Sequence, residues 1–559
     1  MQKKNLVLLS AAAVLLLTTS CSKLKALSAD NFTVVPNPLE TAQGTVPATI
    51  NGVFPEKYMK KKAVVTVIPE LRYADGQKAQ GQSVTFQGEK VYGNDQVISY
   101  LLGGRYTMKT NFQYLDCNKA DMYLKFQARI GSKFQAVPAV KVAEGIVATS
   151  ELYKRTLKSA QAAIAQDAFQ RINAQKQEAS VKFLIQQATL RKSELKNNSV
   201  QEFVKLLQQI NNDQESLRLQ NIEVSAYASP DGGQQLNDKL AAQRQQQTEK
   251  YVAQQLKQNK NLSAPIDAKY TAQDWDGFQE LVKASDIQDK DVILRVLSMY
   301  KDPEEREQQI KNISSAFREL ADGILPQLRR SRMIINYETV GRNDQQIQEQ
   351  LRQDPGKLSV EEILYAATLT ESADQKQAIY ETATQVYPAD ARAYNNLATL
   401  AYAKGNLQQA QQWIEKAQQQ NASLPEASAN QGLIALSQGD LDAAQNYIAK
   451  ATGANGLQEV LGNLHLAQGN YAQAEQDFKE VYSNSAALAQ ILNKNYASAA
   501  VTLKYVTNAD ATTDYLKAIL AARMGNTADA AEALRSAVAK DPAYAKYAAT
   551  DLELAKVAK

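Results

Sequence analysis

The alternation of hydrophobic and polar positions changes twice along the chain. From about 45 to 149, runs such as AVVTVIPELRY alternate apolar and polar residues between glycine, asparagine and aspartate turns, which predicts antiparallel strands. Residues 180–342 alternate strand-like runs (SVKFLI) with amphipathic stretches (VQEFVKLLQQI), and residues 359–559 keep a helical period throughout. We therefore predict a multidomain protein with an N-terminal all-β immunoglobulin-like sandwich, an α/β domain and an all-α C-terminal region.

The segments between these regions have patterns of their own. Residues 21–44 are polar and interrupted by prolines, which indicates a tether, and residues 343–358 are expected to be a linker. Residues 150–179 are rich in alanine, glutamine and lysine with a thin apolar stripe, which predicts a connecting helix. An excess stretch at about 274–328, with the runs WDGFQELV and DVILRVLSMY, predicts a helical insertion in the α/β domain.

The N-terminus has the pattern of a secretory signal. Residues 1–20 combine a basic start, an apolar run and small residues before Cys21. This ending resembles a bacterial lipobox, with Thr18 where an aliphatic residue is usual, and the resemblance implies that Cys21 becomes the lipidated first residue of the mature protein. We therefore expect attachment to a membrane by acyl chains, and a secreted protein with an unmodified Cys21 is the alternative.

The C-terminal region repeats with a period of about 34 residues. Glu371, Gly405 and Gly439 stand 34 residues apart, and the series continues with shorter gaps. Small residues recur where two helices would approach closely, namely Ala410, Ala444, Ala474 and Ala530. This pattern resembles the tetratricopeptide repeat (TPR), with about five or six units.

The TPR resemblance implies a stacked superhelix whose groove recruits a protein partner. Asn396 and Asn430 hold equivalent positions in the 34-residue units, and Arg392 is a charged neighbour. In repeats of this kind such positions commonly hydrogen-bond an extended peptide. A solvated polar wall is the alternative for these three residues.

The composition argues against an enzyme. The chain has one histidine, His465, and two cysteines, so a histidine-based triad and a thiolate metal cluster lack residues. No glycine-rich phosphate-binding motif is present. The net charge is +4 without a dense basic run, which does not indicate a nucleic-acid surface. We expect a non-enzymatic protein without cofactor, metal or nucleic-acid partner.

One stretch carries candidate binding chemistry. Residues 227–244, YASPDGGQQLNDKLAAQR, combine a tight turn with a helix start, where backbone N–H groups favour an anion. Arg244 lies seven residues after Asn237, about two helical turns on, and a guanidinium can hold a carboxylate through two hydrogen bonds. A carboxylate pocket and an ordinary salt-bridged helix both fit this spacing.

The run NDKLAAQRQQQTEKYV resembles the signature of the OmpA-like peptidoglycan-binding domain. Asn237, Leu240, Ala241 and Arg244 occupy the matching positions, and the likeness covers about 180–342. The resemblance implies that Arg244 binds the free carboxylate of diaminopimelate beside an aspartate of the turn. Ser229 stands at the position of that aspartate, and Asp231 lies two residues later. The peptidoglycan-binding candidates are therefore Arg244, Asn237, Asp231 and Ser229, and whether Asp231 serves as the aspartate stays open.

The lipobox and the YASPDG turn with its W-D insertion resemble Bacteroidota lipoproteins. The resemblance implies an outer-membrane lipoprotein that serves as a periplasmic scaffold or accessory subunit. The OmpA-like domain would contact peptidoglycan or a partner, and the TPR array would recruit a protein of an outer-membrane complex. The basic run SKLK after Cys21 favours the periplasmic side. The alternative is a surface-exposed lipoprotein that assists adhesion or nutrient capture, with the OmpA-like domain as a scaffold only.

Overall fold

The computed structural model describes residues 23–115, 117–287, 289–313 and 318–557. The predicted signal peptide and Cys21 therefore lie outside the described residues. The chain divides into two units, the first with the residues up to Asp167 and from Thr370 onward, the second with Ala168–Leu369. Within the described ranges, no helix is both long and apolar enough to cross a bilayer.

The N-terminal part of the first unit is rich in sheet. Its strands are β1 (Phe32–Val35), β2 (Leu39–Glu40), β3 (Thr45–Phe54), β4 (Ala63–Tyr73), β5 (Lys78–Gln80), β6 (Val84–Gly88), β7 (Gln96–Ile98), β8 (Gly104–Gln113), β9 (Ala120–Ile130), β10 (Lys133–Glu144) and β11 (Ile146–Val147). One sheet has the order β1-β3-β8, and the other β10-β9-β4-β6-β7 with β5 beside β4. Burial alternates along β3 and β8, and one apolar core joins both sheets.

The connecting helix predicted over residues 150–179 is wrong. Short helical turns, including α1 (Tyr153–Thr156), cover 149–159, residues 160–170 have no regular secondary structure, and Ile172–Lys182 is a strand. From Ala163 to Gln166 burial alternates residue by residue, as in extended backbone. Tertiary contacts, described below, override the helical propensity of these alanines.

The second unit is built on a four-stranded sheet, ordered β12-β15-β13-β14. The strands are β12 (Ile172–Lys182), β13 (Leu217–Tyr227), β14 (Ile266–Thr271) and β15 (Arg330–Val340). Only the β13–β14 pairing of this described sheet is parallel. Helices α2 (Asn198–Asn212) and α3 (Gln234–Gln258) share an apolar core with the sheet, in which Phe203, Val224 and Val252 are buried.

A group of helices lies between β14 and β15. It comprises α4 (Trp275–Ala284), α5 (Lys290–Met299), α6 (Pro303–Asn312) and α7 (Leu325–Leu328), which have an apolar core of their own. After β15 come α8 (Asp344–Gln353) and α9 (Val360–Ala366). The linker predicted at 343–358 is therefore largely helical, because Asn343 and Gln346 form a capping box that starts α8.

The C-terminal part of the first unit consists of helix-turn-helix pairs. After α10 (Ala373–Val386) these are α11 (Ala391–Ala403) with α12 (Leu407–Gln420), α13 (Pro425–Gln438) with α14 (Leu441–Ile448), α15 (Leu457–Ala467) with α16 (Tyr471–Asp477), α17 (Asn484–Leu492) with α18 (Tyr496–Tyr505), and α19 (Ala511–Arg523) with α20 (Thr527–Lys540), followed by α21 (Ala543–Ala548). The turn after each first helix needs a left-handed residue, which Lys494 supplies in one pair and glycines in the others, namely Gly405, Gly439, Gly469 and Gly525. The repeated alanines are fully buried, as close helix packing requires.

Candidate functional site

The first helices of four successive pairs bind a segment of the same chain. These inner helices are α11, α13, α15 and α17, and the bound stretch, residues 157–167, is called the groove segment. Three asparagines of the inner helices, Asn395, Asn396 and Asn430, are buried although their side chains are polar. A buried carboxamide needs partners for both its donor and its acceptor, and the groove segment supplies both for Asn396 and Asn430.

Asn430 and Asn396 make the same paired contact two residues apart on the groove segment. The Ala163 N–H donates to Oδ1 of Asn430 over 2.7 Å, and Nδ2 of Asn430 donates to the Ala163 carbonyl over 2.8 Å. The Ala165 N–H donates to Oδ1 of Asn396 over 2.9 Å, and Nδ2 of Asn396 returns a bond of 3.0 Å to the Ala165 carbonyl. Each carboxamide thus pairs with backbone as a neighbouring strand would, at alternate residues of an extended chain.

Asn395 joins the two paired contacts into one network. Its Nδ2 donates to the Ala163 carbonyl over 3.0 Å and to Oδ1 of Asn396 over 3.1 Å, while its Oδ1 accepts a bond of 2.9 Å from Asn430. This residue was missing from the sequence-based candidates. The sequence feature that could have identified Asn395 is its position directly before Asn396. It was not selected because only Asn396 lies 34 residues, one repeat, before Asn430.

Further contacts hold both ends of the groove segment. Nη1 of Arg392 donates to the Asp167 carbonyl over 2.9 Å, and the Tyr402 hydroxyl donates to the Leu157 carbonyl over 2.7 Å. Near the first end, Nδ2 of Asn484 donates to the Ser159 hydroxyl over 3.0 Å. The structure thus brings all three predicted groove residues, Arg392, Asn396 and Asn430, onto one extended peptide, which belongs to the chain itself.

From Ala160 onward the groove segment fits because its inward side chains are small. Ala160, Ala163 and Ala165 are buried, whereas Ile164 points outward. The backbone is close to the turn before α15, where a Cβ added to Gly456 would stand 3.5 Å from the Cα of Ala163. Bound alanines therefore leave the hydrogen bonds of the backbone as the main recognition contacts.

Glu459, on the inner helix α15, is buried in this groove. Burial raises its pKa to about 7, although hydrogen bonds from Ser483, Asn463 and the Gln161 backbone act in the opposite direction. The bond from Nδ2 of Asn463 to Oε1 of Glu459 measures 3.1 Å. Burial therefore favours the protonated carboxyl group of Glu459 well above the pH at which an exposed glutamate ionises.

In the second unit the turn before α3 brings the other predicted residues together. Nδ2 of Asn237 donates to the carbonyls of Ser229 (3.0 Å) and Gly232 (2.8 Å), which closes the turn. The Ser229 hydroxyl donates to the Asp231 carboxylate. Arg329 then pairs with Asp231 (3.1 Å) and donates to the Ser229 hydroxyl (3.2 Å). Asp231 thus has an arginine partner, but that partner is Arg329, which the sequence-based candidates lacked.

The guanidinium of Arg244 donates its hydrogen bonds to backbone carbonyls. Its side chain is 1% exposed, and its three nitrogens donate to the carbonyls of Gln187 (3.0 Å), Tyr227 (2.8 Å) and Leu184 (3.4 Å). Burial lowers the pKa of Arg244 to about 10, the charge of Arg329 adds to the decrease, and Asp231 opposes it. These three hydrogen bonds link the residues after β12 to the end of β13.

The inserted helices lie over the same turn. Pro230 and Asp231 line a cavity of about 20 Å³ together with Trp275, Phe278 and neighbouring apolar side chains of the insertion. A space of this size has room for about one water molecule and is too small for a larger ligand. In the part of the chain that the structure describes, no group of three or more His, Cys, Asp or Glu side chains could hold a metal ion.

A family comparison identifies part of the helical pairs. The tetratricopeptide repeat family model matches residues 377–425 and 429–489, so the predicted TPR array is confirmed there. No curated protein matches the chain.

Solved structures similar to this chain include two bacterial proteins. One is a tetratricopeptide repeat protein from Parabacteroides merdae, with 15% identity, 35% of this chain and 85% of that chain covered, and a TM-score of 0.27. The other is pilF of Pseudomonas aeruginosa, with 18% identity, coverage of 32% and 89%, and a TM-score of 0.25. The yeast Tom70 structure has 10% identity, coverage of 58% and 74%, and a TM-score of 0.24.

Proposed function

We propose that this protein is a non-enzymatic scaffold whose TPR array uses its peptide-binding groove on its own chain. The observation that carries the proposal is the pair of two-bond contacts from Asn430 to Ala163 and from Asn396 to Ala165. TPR arrays serve protein–protein interaction through extended inner surfaces. Here the central part of that surface already holds a peptide.

The contact between the groove segment and the array of the same chain fixes the geometry of the first unit. The groove segment follows β11 almost directly, and the residues between them bind both the sheet-rich part and the array. The Ser150 hydroxyl donates to the Thr41 carbonyl over 2.9 Å, and the Thr149 hydroxyl donates to Glu553 over 2.7 Å. A protein partner would therefore meet the sheet-rich part and the array as one body, or would have to displace the groove segment.

A peptide-binding experiment tests the groove. We expect a labelled peptide of residues 157–167 not to bind the wild-type chain, because a tethered competitor has a local concentration in the millimolar range, as an order of magnitude. A variant in which residues 160–167 are replaced by a Gly/Ser spacer of equal length should bind the peptide, and adding Asn430→Ala should abolish that binding. Circular dichroism must show that the spacer variant keeps its helices. If the folded spacer variant does not bind the peptide, the proposal is wrong.

The cellular setting that we propose is a lipid anchor at Cys21 in the outer membrane, with the chain in the periplasm and an outer-membrane complex as the partner. The signal-like N-terminus and the basic SKLK run support it. Protease treatment of intact cells tests the orientation. Digestion of the array without lysis would instead support the surface-exposed alternative, in which the protein assists adhesion or nutrient capture.

Peptidoglycan binding by an OmpA-like second unit is the second candidate. Its support is the convergence of Ser229, Asp231, Arg244 and Arg329 at one turn. Against it, Arg244 is buried and bonded to carbonyls. Retention on purified sacculi separates the two roles when wild type is compared with Asp231→Asn and Arg244→Ala. Loss of retention in folded Asp231→Asn would support a ligand site, whereas equal retention of wild type and both variants would reject it.

A further inference from the structure

One end of the sheet-rich part is formed by four neighbouring loops, residues 55–62, 89–95, 99–103 and 131–134. The strand pairings place them together, because Ala63 pairs with Ile130 at the start of β4, and Phe54 at the end of β3 pairs with Gly104 at the start of β8. β6 and β7 run parallel, with Gly88 beside Ile98, so the loops after them emerge at the same end. These residues are called the four-loop surface.

Backbone hydrogen bonds join the loops into one surface. Residues 55–62 make one backbone hydrogen bond with each of the other three loops. The Lys57 N–H donates to the Tyr100 carbonyl (2.6 Å), while the carbonyls of Lys61 and Lys62 accept from the N–H groups of Lys90 (2.7 Å) and Gly131 (2.9 Å). The larger sheet places four strand spacings between β10 and β7, so the surface is about 20 Å wide.

Large apolar side chains stand exposed on this surface. Tyr92 is fully exposed, Phe134 is 86% exposed, and Leu102 is 82% exposed with Leu101 beside it. Tyr92 and the two leucines lie in loops, and Phe134 is the second residue of β10, next to the hairpin turn. Aromatic and leucine side chains of this kind are the residues that enter the head-group region of a bilayer.

Positive charge surrounds the apolar tips. The four loops contain six lysines against three acids, and Lys57, Lys61 and Lys62 are exposed in the central loop. Of the acids, Glu89 is held by the Ser99 hydroxyl (2.9 Å) and the Tyr100 N–H (3.3 Å). Lysines near a membrane are attracted to anionic lipid head groups within a Debye length.

The opposite end of the sheet-rich part contacts the array. There the side chain of Gln43 donates to the Gln468 carbonyl of the array, and the Gly44 N–H donates over 2.9 Å to Glu151, which lies between β11 and the groove segment. Within the first unit, the four-loop surface is therefore at the end away from the array. β1 begins at the four-loop end, where Phe32 pairs with Gly52.

We propose that the four-loop surface docks on an anionic lipid bilayer, with Tyr92, Leu102 and Phe134 entering the head-group region and the lysines contacting lipid phosphates. This contact goes beyond the scaffold role and does not need a lipid on Cys21. A symmetric dimer through the same surface would place lysines of one copy against those of the other, which repel, so charge complementarity favours the membrane.

Vesicle co-sedimentation tests the proposal with the chain that begins at Ser22, which keeps every residue that the structure describes. We expect binding to phosphatidylcholine/phosphatidylglycerol vesicles, weaker binding to phosphatidylcholine alone, and a decrease with salt. Lys61→Glu/Lys62→Glu should lower the partition coefficient at least roughly tenfold, since each membrane-proximal lysine contributes roughly fivefold. Leu102→Ser/Phe134→Ser should also weaken binding, including at high salt.

Two control variants test whether loss of vesicle binding is specific to the four-loop surface. Lys78→Glu/Lys119→Glu changes the same charge at the opposite end, and Val501→Ser/Met524→Ser removes exposed apolar side chains of the array. Both should bind vesicles within about twofold of wild type. No vesicle binding, or equal losses in the controls, would overturn the proposal. Self-association that the loop substitutions abolish, without vesicle binding, would assign the surface to a second copy instead.

Discussion

Asn430 is the side chain on which the groove segment depends most directly, and Asn430→Ala removes it with little change of backbone. The substitution deletes the 2.7 Å and 2.8 Å bonds to Ala163 and the 2.9 Å bond to Asn395. The Ala163 carbonyl keeps its bond from Asn395, but the Ala163 N–H and Oδ1 of Asn395 each lose their bond to Asn430.

The expected cost follows from those two buried groups. A buried polar group without a partner costs about 1–3 kcal/mol, so the two groups together should destabilise the bound groove segment by about 2–6 kcal/mol. Because Ala163 is fully buried, water cannot replace the lost acceptor without opening the groove. An opening that becomes easier by about 2 kcal/mol raises amide exchange roughly thirtyfold.

Hydrogen exchange at Ala163 is the direct measurement, and thermal unfolding of the whole chain accompanies it. We expect faster exchange at Ala163 and a smaller effect at Ala165, whose two bonds to Asn396 remain. Asn446→Ala is the matched control, because Asn446 lies exposed on α14. Unchanged exchange at Ala163 in Asn430→Ala would refute the reasoning that the asparagine network holds the segment.

Three further predictions concern Glu459, Arg244 and Gly432. Because burial raises the pKa of Glu459 from 4.5 to about 7, its contribution to stability is full below about pH 4.5 and is lost as pH rises through about 7. The loss is on the order of 3 kcal/mol, and denaturant unfolding of Glu459→Gln between pH 4.5 and 8 should show a flatter profile. Arg244→Ala and Arg244→Lys should each lower the melting temperature, at a cost of about 2–4 kcal/mol, because a lysine cannot serve three carbonyls from three nitrogens. Gly432→Ala should cost about 1–3 kcal/mol by urea unfolding, because the new Cβ would stand 2.5 Å from Cγ1 of Ile448.

Each of these predictions has a contrary result. A difference in unfolding free energy between wild type and Glu459→Gln that stays constant from pH 4.5 to 8 would contradict the assignment for Glu459, because the substitution removes that one titratable group. Wild-type melting of Arg244→Lys would show that the three carbonyl bonds do not support the fold. If Gly432→Ala unfolds like the Asn446→Ala control, the α13–α14 contact is looser than described.

The repeat period could be predicted from the sequence because it reflects contacts between residues that are close together in the chain. Gly405 and Gly439 mark turns that need a left-handed residue, and Ala410 and Ala444 mark the helix contact that follows each turn. These requirements recur with every pair, so they leave a period in the sequence. The strands from residue 45 onward could be predicted for a similar reason, since burial on one face leaves an alternating pattern. The tether predicted over residues 21–44 is wrong at β1 and β2, whose Phe32, Val34 and Leu39 are buried in the core, because prolines interrupt the pattern there.

The sequence by itself therefore determined the sheet-rich start, the TPR array and the residue types of the groove. Only the tertiary structure decided what the groove holds, because Ala163 and Asn430 are 267 residues apart and a carboxamide that binds backbone leaves no pattern in the peptide it binds. The role of Arg244 was equally undetermined. Its spacing from Asn237 is the same whether the guanidinium faces a ligand or the carbonyls of Leu184 and Gln187, and long-range packing selected the carbonyls.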